Sequence, residues 1–361
     1  MLSIGMTNIY IKRKTDKMLT IQEIKDVLLK RIEDYDRHDM LNPVDIMTCS
    51  NETELLFLLL FKDNNKTAQM IKDCLVYGEL MSNLFGEDVL KKNNVFVKGK
   101  HRLYGSKTYV AMGNCDVTVT NDSKVISFEN AFVTLKQNSM LCAHGNTRFM
   151  GYDNSRILCV EENISNVSGE LFGYSNAYLY NTRLLIKCHD HANVTSRFAS
   201  NIEMYDYSRI LADNCSRNIR LFDKSMGDIC CNSVAEFYGN SNAIIREGST
   251  AYLYENSNAT FNDESIGYCH SANEVFCYDK SRVKVWKDVK RTNMRNDSTV
   301  EIIEMGTKLR AYDNAVVKDY SDIYTDAFDN AIIIHMNEHK IYKNQQKYNA
   351  SVPIDYGNNI C

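Results

Sequence analysis

Three short stretches bring metal-binding or redox side chains close together. His335-Met-Asn-Glu-His339 sets two histidines four apart, the spacing that places two imidazoles on one face of a helix. Glutamate does not follow the first histidine directly, so this is not the order of a zinc hydrolase. The pair also falls where the last strand ends, which predicts an exposed exit segment. Cys188-His-Asp-His191 offers several ligands in four residues, but alternate side chains of a strand point to opposite faces and are separated there. Cys230-Cys231 reads as one core and one surface cysteine rather than a redox pair. No catalytic, cofactor-binding or metal-binding residue is assigned, and no cofactor is expected.

Carboxylates and aromatic rings recur more regularly. Glu129, Asp153, Asp223, Glu255, Asp263, Asp279, Asp313 and Asp329 fall at turn positions. Stacked carboxylates are the raw material of a glycosidase or lyase site in a β-helix enzyme. Turn geometry alone also places an acidic residue at each of these points. Tyr238, Tyr254, Trp286, Tyr312 and Phe328 share one position just before the turn. They are the candidate partner-binding residues, able to stack on a sugar or on a partner's apolar side chains. The alternative is that they stack on one another and shield the corner. No Gly-rich phosphate loop, nucleophile elbow or CxxC pair is present.

What must position these residues is an eight-residue repeat. In EFYGNSNAIIREGSTAYLYENSNATFNDES (236–265) a polar cluster ends at Ser241, Ser249, Ser257 and Ser265. Cys115, Ser123, Ala131, Ser139, Thr147 and Ser155 form another such run, and Thr307, Ala315 and Ala331 a third. Two residues after each small one stands an apolar side chain such as Val117, Val125, Val133, Leu141 or Val283. Two further on stands another, such as Leu135, Phe237, Ile245, Leu253, Phe261 or Cys277. Small, apolar, apolar at steps of two is the alternation of a half-buried strand of about five residues. The remaining residues, typically aromatic-Asp/Gly-Asn, suit a turn because Asp, Asn and Gly tolerate left-handed backbone.

One such strand cannot bury its face alone, but stacked blocks can, which predicts a parallel β-solenoid over 96–336. The sixteen-residue recurrence of aromatics favours two blocks per coil and about fourteen coils; three blocks, with a triangular section, is the alternative. Stacked Asn side chains are expected to form amide ladders. Between 160 and 232 the phase slips. The only prolines, Pro43 and Pro353, lie outside this stretch, as a continuous ladder requires.

Before the repeats the period is helical. Thr20-Ile-Gln-Glu23 is a capping box, followed by Ile21, Ile24, Val27, Leu28 and Ile32 at helical steps. A second helix is expected from Ser50 through LLFLLLF (55–61), apolar all round and therefore buried, a third after Asn65 and a fourth over Glu79 to Leu90. The expected organisation is thus α+β multidomain: an N-terminal extension (1–18), a small helical bundle domain (19–95), the solenoid, and a C-terminal tail (337–361).

With 42 basic and 46 acidic residues the net charge is −4, which gives no basic stripe for nucleic acid. Twelve irregularly spaced cysteines, many at core positions, read as reduced thiols of a cytoplasmic protein. The start, MLSIGMTNIYIKRKTDK, lacks the apolar core and cleavage site of a secretory leader, and LLFLLLF is too short to span a membrane.

YDNSRILC (152–159), AYDNAVV (311–317) and NKTAQMIKDCLVYGELMSNLFG (65–86) resemble octapeptide-repeat β-solenoid proteins of bacteria and phages. The repeats also have a distant architectural likeness to those of ice-nucleation proteins, without their Thr-X-Thr rows. The resemblance implies a phage or mobile-element origin and admits roles as a virion component or an inhibitor of a host defence system. The reading from the residues is a non-enzymatic scaffold that binds or masks a macromolecular partner. A protein partner is expected, a carbohydrate is the alternative, and nucleic acid and membrane are not expected. A polysaccharide-active β-helix enzyme is the alternative function.

Overall fold

The computed structural model describes residues 18–37, 39–160, 166–180, 183–198, 200–215, 217–304, 308–321, 325–336, 340–343 and 352–354. Most of the expected N-terminal extension and C-terminal tail lies outside them. Helices are followed by a long parallel β-solenoid of about 14 turns, with strands from 95 to 335. By its contacts the chain falls into two compact units, residues 1–149 and 150–361. No helix of the described residues is long and apolar enough to cross a membrane.

The first unit opens with α1 (Ile21–Asp34), α2 (Pro43–Thr48), α3 (Glu52–Leu60), α4 (Asn64–Lys72), α5 (Gly78–Phe85) and α6 (Glu87–Lys92). The Thr20 hydroxyl accepts from the Glu23 N–H, and the Glu23 carboxylate accepts from the Thr20 N–H at 2.6 Å, so the capping box closes. Asn51 and Asp63 cap α3 and α4 by accepting from first-turn N–H groups, Asn51 from Glu54 and Asp63 from Asn65 and Lys66. Two expectations need correction. The fourth helix is two, because Gly86 adopts φ 75°, a left-handed value that ends α5. LLFLLLF is not buried all round: Leu55, Leu56, Leu59 and Leu60 are, but Phe57 is 58% exposed and stacks beside Phe61. Helix α3 packs along one face only.

The strands of this unit begin at Val95. Val95–Leu103 pairs in parallel with Thr108–Val119, which in turn pairs with Lys124–Ser127 and Phe132–Leu135. Glu129 joins helix to coil. Its carboxylate accepts from the Gly78 N–H that opens α5, at 2.9 Å, and from the Gly113 N–H at 2.7 Å. Burial nevertheless raises its pKa, outweighing the two donors.

In the second unit most strands pair in parallel with the one two strands later; the long strands Ile266–Cys277 and Arg282–Met294 pair with each other, and Ile332–His335 pairs antiparallel with Lys340–Lys343. Asn242–Ile245 lies in register on Asn258–Phe261, and Val234–Phe237 on Thr250–Leu253, both at an offset of sixteen residues. Two blocks therefore make one coil, with two facing sheets. The slip between 160 and 232 has a plain cause: several coils carry an extra residue. Asn176 pairs with Asn193 and Arg209 with Met226, offsets of seventeen, and Arg156 pairs with Asn176 across twenty.

The core is the inward set that the alternation predicts. Phe237, Ile245, Leu253, Phe261, Cys269, Cys277 and Val285 are all fully buried. Corner residues Ser233, Ser241, Ser249, Ser257, Ser265 and Ser281 are likewise inaccessible. A Cβ at Gly267 would lie 2.6 Å from Phe261 Cζ, so the ring fills the space a side chain would need.

Two outcomes follow. Gly267→Ala should lower stability by about 1–3 kcal/mol through overpacking. That cost should shrink in a Phe261→Leu background, read as non-additivity in denaturant midpoints. For Glu129, the native state holds its proton to higher pH than the unfolded chain does. Unfolding free energy should therefore fall as pH rises from the ordinary glutamate range through the raised native value. Comparing wild type with Glu129→Gln, which cannot titrate, isolates that slope in pH-dependent denaturation.

Candidate functional site on the outward rows of the solenoid

All of the following lies in the second unit. Every outward residue of a coil sits over the equivalent residue of the next, so the surface is a set of rows. Three kinds of row hold most of its chemistry.

The turn carboxylates form the first. Asp190, Asp206, Asp223, Glu255, Asp263, Asp279, Asp313 and Asp329 all have φ between 55° and 60°. Their side chains bond the backbone one coil back. Gly173 N–H donates to Asp190 at 2.9 Å, Asp190 N–H to Asp206 at 3.1 Å and Gly239 N–H to Glu255 at 2.7 Å. On the other edge Asn296 N–H donates to Asp313 at 3.1 Å, and Asp263 N–H to Asp279 at 3.4 Å. The acidic residues are thus placed by an architectural need: each caps an amide that a left-handed turn takes out of the ladder.

The rings form the second. Tyr152, Phe172, His189, Tyr205, Phe222, Tyr238, Tyr254, His270 and Trp286 make one continuous stack, with centroids 4.5–5.2 Å apart and planes within 23°. Their faces are covered by one another, and edges meet solvent. Tyr238 donates to Glu236 at 3.0 Å; burial and that bond push its pKa up to about 12, so it stays a donor. The five aromatic candidates do not share one row. Tyr312 stacks on Phe328 at 4.8 Å on the opposite edge, in register with Tyr278 and Arg295, whereas Trp286 is followed by Ile303. Tyr312 lies 26 residues after Trp286, not a multiple of sixteen, and two offsets of seventeen, Tyr278 to Arg295 to Tyr312, keep it and Phe328 on the edge of Tyr278.

The outward faces of the two sheets form the third, and they differ. On the sheet of Thr250–Leu253 the central row alternates in charge: Lys187–Glu203 (3.4 Å), Glu203–Arg220 (3.9 Å) and Arg220–Glu236 (3.1 Å). Lys284, Glu301 and Lys318 continue the pattern at 3.3 Å. Alternation is what stacking demands, since like charges one coil apart repel. The sheet of Asn242–Ile245 also has ion pairs, Arg246–Asp228 and Arg291–Glu274, but it exposes apolar side chains between them. Tyr178, Leu211, Met226 and Ile244 are each more than 40% exposed. A groove of about 590 Å³ lies there, floored by Ala243 and Ala259, walled by Met226, Ile244 and Phe276, and rimmed by Arg209, Asp228 and Glu274. It crosses five coils, a span of about 19 Å at about 4.8 Å per coil. Beside it Asn258 donates to Asn242, and Asn273 to Asn258, both at 3.1 Å, the expected amide ladder.

The histidine and cysteine motifs resolve differently. Ile332–His335 is a strand, and His335 faces the buried Asp319 at 3.3 Å; His339 lies outside the described residues. In Cys188–His191 the thiol is buried, Asp190 caps Gly173, and His189 and His191 are taken into two separate ring stacks. Cys230 and Cys231 correct the expectation of one core and one surface thiol: both are half-buried. Cys230 occupies the edge position paired with Asp213, and Cys231 the left-handed turn position.

The outward apolar face was not legible in the sequence, because inward and outward rows both contain Ile, Leu and Phe and only the phase separates them. No protein-family model matches the chain, and neither does any curated protein or solved structure.

The ring stack is directly testable. Tyr254 touches Tyr238 and His270, each contact contributing roughly 0.5–1.5 kcal/mol. Tyr254→Ala should therefore destabilise by about 1–3 kcal/mol. Tyr254→Phe, which keeps both ring contacts, should stay within about 0.5 kcal/mol of wild type in chemical denaturation.

Proposed function

We propose that this protein is a non-enzymatic solenoid scaffold that engages a protein partner through the outward face of the sheet containing Asn242–Ile245. One observation carries the reading: exposed apolar residues border a groove on that face, between the ion pairs Arg246–Asp228 and Arg291–Glu274, whereas most of the facing sheet's central row is ion-paired. The other surface chemistry is occupied internally. Turn carboxylates cap backbone amides, and ring faces cover one another, which supports a scaffold over a polysaccharide-active enzyme and over sugar stacking. A groove running across five coils suits an extended segment whose side chains enter between two outward rows. Depletion of charge at the centre with charge at the rim is the usual anatomy of a protein interface. With the phage-type resemblance of the repeats, a virion component or an inhibitor of a host defence system is the setting this reading favours, in the host cytoplasm or the virion.

The test is a cross-linking pulldown from host lysate at micromolar protein, run in parallel with Ile244→Lys and Met226→Glu, each of which places its new charge beside an opposite one, Asp228 or Arg209. Both positions are exposed, so circular dichroism and thermal midpoint should not change. A specific partner should be recovered by wild type and weakened roughly 30-fold or more by either variant, about 2 kcal/mol of interface energy. Equal recovery by all three proteins would move the interface elsewhere. Glycan turnover abolished by one substitution such as Asp279→Asn would favour the enzyme instead.

A further inference from the structure

Cys231 is the odd member of the turn rows. Glu247, Asp263 and Asp279 occupy the same place in the following coils, each left-handed, with a carboxylate directed at its neighbour. At Cys231 (φ 56°), followed by Asn232 (φ 61°), the carboxylate is replaced by a thiol. A second thiol, Cys230, precedes it at the edge of the strand Met226–Cys230, in register with Asp213. One ligand atom from each of Asp213, Cys230 and Cys231 lies within 4.8 Å of the others. Glu247 lies outside that group but touches it, its Oε2 accepting from Cys231 Sγ at 2.8 Å.

We propose that Asp213, Cys230, Cys231 and Glu247 form a binding site for a thiophilic divalent cation of the zinc or cadmium class. Two sulfurs and two carboxylate oxygens are a donor set that selects such ions over magnesium or calcium. In a tetrahedral zinc site, with bonds of about 2.0–2.3 Å, donor atoms sit roughly 3.4–3.8 Å apart. The spacing of Asp213, Cys230 and Cys231 therefore needs side-chain adjustments of about 1 Å, and the Glu247 side chain must swing further in to complete the set. One outer contact is in place. Arg197 Nε holds Asp213 Oδ2 at 3.1 Å, while the Cys230 S–H bond to the Ala212 carbonyl is given up when the thiolate binds the ion. An approach path exists too. An open groove of about 530 Å³ is lined by Glu247, Asp263, Glu264 and Asp279 against the single cation Lys280, a field that draws cations inward. Binding one divalent ion releases both thiol protons to solvent, so the ion replaces two S–H bonds with two metal–thiolate bonds and nothing is oxidised. Because the donors come from three successive coils, the ion would clip them together.

The experiment is a cadmium and zinc titration of the full chain under reducing conditions, against a chromophoric chelator. One equivalent should bind, with a thiolate-to-cadmium charge-transfer band in the ultraviolet and a rise in thermal midpoint. Cys230→Ser and Cys231→Ser should each abolish the band, Glu247→Gln should weaken affinity by about tenfold or more, and Cys74→Ser, at an exposed thiol elsewhere, should change nothing. Alkylation mapping by mass spectrometry on the wild type, with and without zinc, guards against variants that fail to fold; zinc should protect Cys230 and Cys231 together. No competition with the chelator, a band that survives in the double serine variant, or a Cys230–Cys231 disulfide that persists after reduction would overturn the proposal.

Discussion

Stacking at one strand spacing governs everything else in this protein. Each side chain of a coil lies about 4.8 Å from its equivalent in the next, so every row must be compatible with itself. Serine and alanine solve this at the corners, amide ladders solve it for asparagine, and ring stacks solve it for aromatics. Charge is the hardest case. It is met by alternation along Glu203, Arg220 and Glu236, and by lending carboxylates to backbone N–H groups at the left-handed turns.

The same constraint decides what the surface has left to offer. A carboxylate bonded to its neighbour's amide and a ring covered on both faces have little left for a ligand. Surface free of such obligations is found where a row departs from its own pattern. Met226 and Ile244 stand among polar equivalents over the groove, and Cys230 and Cys231 stand where carboxylates and other edge residues otherwise sit. Both proposals rest on such departures: the apolar face for a partner protein, the thiol pair for a metal ion.

Much of this was legible in the sequence. The spacing of Ser241, Ser249, Ser257 and Ser265 gave the strand length, the corner and the inward set, since an eight-residue period with internal alternation has few other solutions. The recurrence of Tyr238, Tyr254 and Trp286 gave two blocks per coil. What failed was phase. Tyr312 and Phe328 are sixteen apart from each other but not from Trp286, and two coils of seventeen residues hide that they continue the row of Tyr278 on the opposite edge. Burial around α3 failed for another reason: Phe57 is as apolar as its neighbours, and only tertiary packing determines that it faces outward. The acidic turn residues were assigned to turns correctly, but the bonds they make across coils are long-range and leave no local signature.

Each strand residue meets the one a whole coil away, sixteen or seventeen residues on in most coils, and not the one eight away. The chain's single tryptophan reports on this directly, since Trp286 stacks on His270 at 4.5 Å, while Tyr278, eight residues before it, belongs to the other edge. Steady-state emission of Trp286 should change in intensity and wavelength in His270→Ala, and stay as in wild type in Tyr278→Ala. A shift caused by Tyr278→Ala with none from His270→Ala would contradict the two-block coil.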